Sequence, residues 1–402
     1  MNYLITGGEF NNKGAEAMTL TALKHIYAAD PGAAVYMLDT GENRKYELTA
    51  AVTFVTAPLY LLNYLSHGYT FRDFLRWGKD VVRMLLPGRQ SYVPQLSRLL
   101  KIFRSVDVMI DISGYALGSR WDEDKPVTYC KWIRAIAENG GKVYLMPQSF
   151  GPFEFEHPET LALVKHSLAL CQKIFAREEE GYRALLGFGL TNVVKSADSV
   201  LLEQDADASA LIRNYGQYVE TFPLKNTKNA AIVPNYRLID RGGYSLEQLL
   251  AFYSRVIDTF TDTDFYLTAH AGEDLELCRA VKERYPENER VILIDHVLLP
   301  FNYEALAGQL DFVIASRYHA IIHAYREGTP AVILGWAEKY REVAALFDQS
   351  HYLIDLNDEE SDLAAVKTLA GDCGRERIHI LETLREIQKS DCYSSLKELH
   401  EN

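Results

Sequence analysis

Arg317 and His319 stand two residues apart in the run 311–339, DFVIASRYHAIIHAYREGTPAVILGWAEK. The first offers a planar cationic fork that matches carboxylate or phosphate, the second an imidazole whose ordinary pKa permits either protonation state near neutrality. Residues 310–315 are an apolar run of strand length, 316–319 a polar break, 320–326 a segment of helical spacing, and 331–334 a second apolar run beyond Gly328 and Pro330. That order is a βαβ unit. Its first turn lies at the carboxyl edge of a parallel sheet, where open α/β folds bind ligands, and opens a helix whose unpaired N–H groups favour an anion. Lys339, near the start of another helix, adds a second fixed cation. Arg177 repeats the placement of Arg317, between a strand-like 173–176 and a helix at 178–186. The acidic run Glu178 to Glu180 also accounts for Arg177 as a salt-bridge partner. His323, one turn after His319, is expected to pack within the helix, and His270 with Asp274 can share a proton or simply serve the fold.

The elements that must position these groups alternate along the chain. Strands are expected at 3–6, 34–38, 106–112, 142–146, 173–176, 230–233, 264–268 and 290–294, with helices between them, and a final amphipathic helix at about 375–401. Several strand-to-helix turns carry flexible or polar residues: GGEFNNKG at 7–14, SGYALGS at 113–119, PQSFGPF at 147–153 and Asn235 to Arg237. The first is neither GxGxxG nor a Walker loop, and a plain tight turn explains it as well. Glu16, in the first turn of its helix, is also placed to complement the helix dipole.

At 402 residues the chain is long for one ordinary domain, and 48% apolar residues suffice for substantial cores. A net charge of -13 argues against general nucleic-acid binding. The five cysteines are odd in number and without CxxC spacing, so neither a zinc site nor a disulfide framework is expected. No signal-peptide pattern opens the chain and no apolar run reaches membrane-spanning length, so a cytoplasmic protein is expected.

Residues 58–104 break the pattern. Arg72, Arg76, Lys79, Arg83, Arg89, Arg98, Lys101 and Arg104 stand against Asp73 and Asp80, a local excess opposite in sign to the whole chain. Within 71–86, Phe71, Phe74, Leu75, Val81, Val82 and Leu85 recur on one helical face and Arg72, Arg76, Lys79 and Arg83 on another. Such a helix can lie on an anionic membrane surface or face an anionic lipid-linked substrate. A core-facing helix with a solvated basic side has the same pattern.

The expected architecture is α/β: two Rossmann-like domains facing across a cleft, as in GT-B proteins, with a C-terminal helix returning to the first domain. The boundaries are set at 1–203, 204–374 and 375–402, with 222–229 as a second candidate hinge. Six elements in order, GEFNNKGAEA (8–17), DISGYALG (111–118), MPQSFGP (146–152), AREEEGYRALLGFG (176–189), SADSVLL (196–202) and SRYHAIIHAYREGTP (316–330) with Lys339, resemble the polysaccharide pyruvyl transferase family. Ser113 and Tyr115 depart from that pattern where glycines are usual, and Ala15 stands before Glu16 where an acidic residue is usual.

The resemblance implies transfer of the pyruvyl group of phosphoenolpyruvate to two hydroxyls of a sugar in a cell-surface polysaccharide or its precursor. A cyclic ketal forms and phosphate is released, with no metal or redox cofactor demanded. It places Arg177, Arg317, His319 and Lys339 at the donor, with Arg317, His319 and Lys339 as the catalytic set. Asn12, Gly14, Glu16, Ser113, Gly114, Gln148 and Arg237 fall to the acceptor, which can be lipid-linked, nucleotide-linked or polymeric. A GT-B glycosyltransferase using a nucleotide sugar, and a glycan-binding member of an assembly complex without catalysis, remain alternatives.

Overall fold

The computed structural model describes residues 1–38, 46–68, 70–84, 92–205, 207–224, 228–335 and 337–401. Leu85, Leu86 and Arg89 of the basic stretch, Ala206 beside the first boundary and 225–227 of the candidate hinge lie outside them.

Short apolar segments form two sheets. The first contains β1 (Asn2–Thr6), β2 (Ala34–Leu38), β3 (Val52–Val55), β4 (Val108–Asp111), β5 (Lys142–Gln148), β6 (Lys173–Ala176) and β7 (Val193–Lys195), in the order β3-β2-β1-β4-β5-β6-β7. The second contains β8 (Asn229–Val233), β9 (Asp264–Ala269), β10 (Val291–Val297), β11 (Phe312–Ala315), β12 (Ala331–Leu334) and β13 (Leu353–Ile354), in the order β10-β9-β8-β11-β12-β13. Each pairing is parallel. Helices cover both faces, which is why β4, β8, β9, β11 and β12 are buried along their whole length and read as continuous apolar runs rather than alternating ones. Both sheets thus carry the doubly wound order, and their carboxyl edges face one another across a cleft: this is the GT-B architecture.

The helix Lys13–Ala29 is the seam. Its first eleven residues are buried, and its apolar side shares one continuous core with the second-domain helices Pro300–Ala307 and Tyr318–Arg326. The C-terminal helix expected at 375–401 is two helices. Glu359–Ile387 lies on the second domain, where Arg377 donates to the carbonyls of Glu327 and Leu310. The chain then breaks, with Gln388 Nε2 donating to the Leu201 and Glu203 carbonyls, and Ser394–Glu401 packs on the first domain. There Tyr393 stacks on His25 at 4.3 Å and Lys173 Nζ donates to Ser395 Oγ at 2.8 Å. The apolar run 197–202 holds a short helix at Ser199–Leu202 capped by Asp198.

The basic helix forms as Phe71–Met84, but it does not face the core. Phe71, Phe74, Leu75, Trp77 and Val82 are exposed, while Asp73 is buried. Among the described residues no helix is long and apolar enough to cross a membrane.

Candidate functional site

A cleft of about 1260 Å³ lies between the carboxyl edges of the two sheets. It collects the turns after β1, β4 and β6 from one side and those after β8, β9, β11 and β12 from the other, and Arg177, Arg317, His319 and Lys339 all line it. Asp198 lies at its floor, fully buried, with no role assigned from sequence. Its Oδ1 caps a short helix by accepting from Val200 N–H at 3.0 Å. Oδ2 accepts from Arg177 Nη1 at 2.7 Å and lies 3.6 Å from His319 Nε2. Burial alone would raise the pKa of this carboxyl; its neighbours His319 and Arg177 and the Val200 N–H outweigh it and hold the group below the usual carboxylate range.

Arg177 is a buried anchor. Besides Asp198 it donates from Nη2 to the Gly114 carbonyl at 2.9 Å and to Ser149 Oγ at 2.8 Å, and Ser149 donates onward to Glu178. Its guanidinium lies 4.9 Å from the centre of the Tyr318 ring. The expected salt bridge within Glu178 to Glu180 reduces to a 3.6 Å contact with Glu178, because Asp198 takes the fork. Arg177 lines the cleft and ties the turns after β4, β5 and β6 together there, with both terminal nitrogens occupied.

His319 enters from the second domain and closes against the first. An ideal Cβ on Gly14 would stand 2.0 Å from its Nδ1, so only a glycine leaves room for the ring. Burial drives the His319 pKa down to about 3, against the opposing pull of Asp198 and with Arg177, His323 and Lys339 adding to the depression. Desolvation thus favours the neutral imidazole at this position.

Arg317 caps the helix Tyr318–Arg326. Asp274 takes its Nε and Nη2 at 2.8 and 2.6 Å, and Glu273 shares Nη2 at 2.6 Å. Nη1 has no hydrogen-bond partner among the described residues, and Arg317 lines the cleft. Asp274, weighed as a partner of His270, is instead the buried counter-ion of Arg317, further held by the N–H groups of Tyr236 and Ala271. Lys339, half-buried, has no carboxylate in ion-pair range among the described residues. Its ammonium lies 5.2 Å from the Tyr318 ring and 5.6 Å from the Tyr340 ring. Burial first, then the Arg177 charge, push its pKa down to about 8. Glu342, three residues on, accepts from Glu179 N–H at 2.8 Å and ties this helix to the one after Arg177.

The model of the family described as polysaccharide pyruvyl transferase matches residues 12–338. The chain belongs to the polysaccharide pyruvyl transferase family. No match was found among curated proteins. Among solved structures the chain is similar to the UDP-GlcNAc 2-epimerase of Neisseria meningitidis bound to UDP-GlcNAc, with TM-score 0.54 and 13% identity over 94% of each chain. It is also similar to the UDP-GlcNAc 2-epimerase of Methanocaldococcus jannaschii, with TM-score 0.52 and 13% identity over 91% of this chain and 92% of that one. A third likeness is to the E. coli trehalose-6-phosphate structure bound with UDP-2-fluoro glucose, with TM-score 0.52 and 12% identity over 99% and 98%. These likenesses concern the GT-B fold alone.

In this member of the pyruvyl transferase family the residues expected at the acceptor separate into two groups. Asn12, Ser113, Gly114 and Arg237 line the cleft. Asn12 caps its helix through Gly14 N–H, and Arg237 pairs with Asp240 and Glu273. Gln148 is fully buried and donates to Asp111 Oδ1 at 2.9 Å, so it supports the loop after β4 rather than meeting a sugar. Asp111 accepts as well from Thr6, Ser113 and Tyr129. Glu16 is buried beneath Tyr46, whose hydroxyl donates to it at 2.6 Å, and Gly14 faces His319, not open space. Two further residues had no role from sequence: Tyr318, the aromatic floor shared by two cations, and Lys13, buried at the seam. His270 also lines the cleft, 2% exposed, with neither ring nitrogen hydrogen-bonded among the described residues. His323 does pack inside, with Nδ1 in a 2.6 Å hydrogen bond with Glu304. Among the described residues no group of three or more His, Cys, Asp or Glu is arranged to hold a metal ion.

Two outcomes follow. Arg177→Met leaves Asp198 buried with its main counter-ion gone and lowers unfolding stability by about 3–5 kcal/mol, read from urea denaturation midpoints. Gly14→Ala drives a methyl into the His319 ring and forces the seam apart; increased tryptic cleavage of the native protein and a lower melting temperature report it.

Proposed function

We propose that the protein transfers the pyruvyl group of phosphoenolpyruvate to two hydroxyls of a sugar in a cell-surface polysaccharide or its precursor. What supports the reading, beside family membership, is the convergence of Lys339, Arg317 and His319 on one cleft between two sheet edges. A three-carbon ligand with a carboxylate and a phosphate needs several donors within a small space, and these face it from adjacent turns. Lys339 takes the phosphate, and Arg317 Nη1 the carboxylate while Asp274 holds the other edge of the fork. Arg177 and Asp198 position His319.

The reaction adds a proton to the donor methylene and develops positive charge at the neighbouring carbon. One sugar hydroxyl attacks that carbon and loses its proton. The carbon–oxygen bond to phosphate breaks, and the second hydroxyl closes the ketal with loss of its own proton. His319 is neutral before the donor arrives. A bound polyanion beside Asp198 favours the imidazolium, so the donor itself recruits the proton it receives. We read Glu178, a carboxylate that lines the cleft beside Arg177, as the group that accepts a hydroxyl proton. Tyr115 and Trp121, tilted rings 5.8 Å apart on the first-domain wall, offer apolar faces to the acceptor sugar.

Phosphoenolpyruvate is expected to raise the melting temperature of the purified chain, since a ligand selective for the native state stabilises it, whereas uridine and guanosine diphosphates are not. The reverse result would replace this reading with that of a nucleotide-sugar glycosyltransferase. Arg317→Ala, His319→Ala and Lys339→Ala are each expected to lower kcat/KM for the donor by about 100-fold or more with native far-UV circular dichroism. Wild-type turnover in any of the three removes that residue from the site. Because the charge of Lys339 is lost as pH rises through about 8, kcat/KM for phosphoenolpyruvate declines above that pH. In Lys339→Arg the guanidinium stays charged and the alkaline limb moves upward.

A further inference from the structure

We propose that the helix Phe71–Met84 is a docking element for an anionic lipid surface, lying in the plane of the bilayer interface. The observation is an apolar face turned the wrong way for a globular protein. Phe71 is 75% exposed, Val82 61%, Phe74 50% and Leu75 48%, while Asp73 on the same helix is 2% exposed. Asp73 fastens the helix to the body, accepting from Asn63 Nδ2 at 2.9 Å and from Thr70 Oγ1 at 2.6 Å. At about 100° per residue, Phe71, Leu75 and Val82 lie within about 20° of the direction opposite Asp73. The apolar face thus points straight away from the protein.

What flanks that face identifies its occupant. Arg72, Arg76 and Lys79, all exposed, form a stripe along one border. Along the other, Phe74 lies between Phe71 at 6.4 Å and Trp77 at 5.8 Å, a continuous aromatic surface. Aromatic rings beside a basic stripe suit the headgroup region, where the rings sit among acyl chains and the cations meet lipid phosphates. The chain as a whole is acidic, with a net charge of -13, so the stripe is the part of this surface that a negatively charged membrane attracts. A second copy of the chain is the poorer partner, because pairing two such faces also brings together two strongly acidic bodies. This surface is separate from the chemistry of the cleft, and its test uses no donor or acceptor.

The full chain is sedimented with vesicles of phosphatidylcholine alone and with vesicles containing phosphatidylglycerol, at low and high salt. Binding is expected on the anionic vesicles, about tenfold weaker on the neutral ones and weakened by salt. The combined variant Phe71→Ser, Phe74→Ser, Val82→Ser, changed only at exposed positions, should lose about tenfold or more in partitioning, and Arg72→Glu with Arg76→Glu should erase the preference for anionic lipid. No sedimentation of the wild type with anionic vesicles, or equal binding by the variants, overturns the proposal. So does a concentration-dependent dimer that the serine variant converts to monomer, which would assign the face to a second copy.

Discussion

A single buried carboxylate, Asp198, organises the cleft. It joins an arginine of the first domain to a histidine of the second, at 2.7 and 3.6 Å, and its remaining oxygen caps a helix. A charge so placed is tolerable only if each partner keeps its position. Arg177 is in turn tied to the turns after β4 and β5, and His319 is pressed against Gly14. Electrostatics at one point thus set the register between two sheets that share no strand.

Under the proposed function, the same charge pattern explains how a site for a polyanion is built. Arg177 and Arg317 are each neutralised by a buried aspartate, His319 is discharged by burial, and Lys339 retains a weakened proton over aromatic rings. None of these cations is left both fully charged and desolvated. An arriving anion meets donors already oriented, and its own charge restores the protonated forms that burial had disfavoured.

Much of the fold was readable because parallel strands covered on both faces are short continuous apolar runs, and the turns at their carboxyl ends are polar or glycine-rich. Strands β1, β4, β5, β6, β8, β9, β11 and β12 stand close to where the apolar runs place them. The elements that escaped lack that signature. β3 and β13 are short edge strands, partly exposed, and the two C-terminal helices read as one because the break at Gln388 is made by side-chain bonds to the first domain, not by glycine or proline. For Phe71–Met84 periodicity identified the helix and its two faces, but an amphipathic pattern does not say which face turns toward the body of the protein. The Asp73 contacts, which turn the apolar face outward, come from residues outside the helix.

Residue type and order along the chain determined that Arg177, Arg317, His319 and Lys339 end strands or open helices, and hence that they share a sheet edge; the family follows from the same motifs. Only tertiary structure decided which of them stay available. Arg317 and Arg177 carry the same guanidinium and both line the cleft, yet one keeps a terminal nitrogen without a partner among the described residues while the other has both occupied, because Asp274 approaches along one edge and Asp198, Gly114 and Ser149 take both terminal nitrogens. Gln148 and Glu16 are polar residues in the right loops whose hydrogen bonds turn inward. Partner choice between side chains far apart in sequence is set by distance and desolvation, and neither is written in a linear spacing.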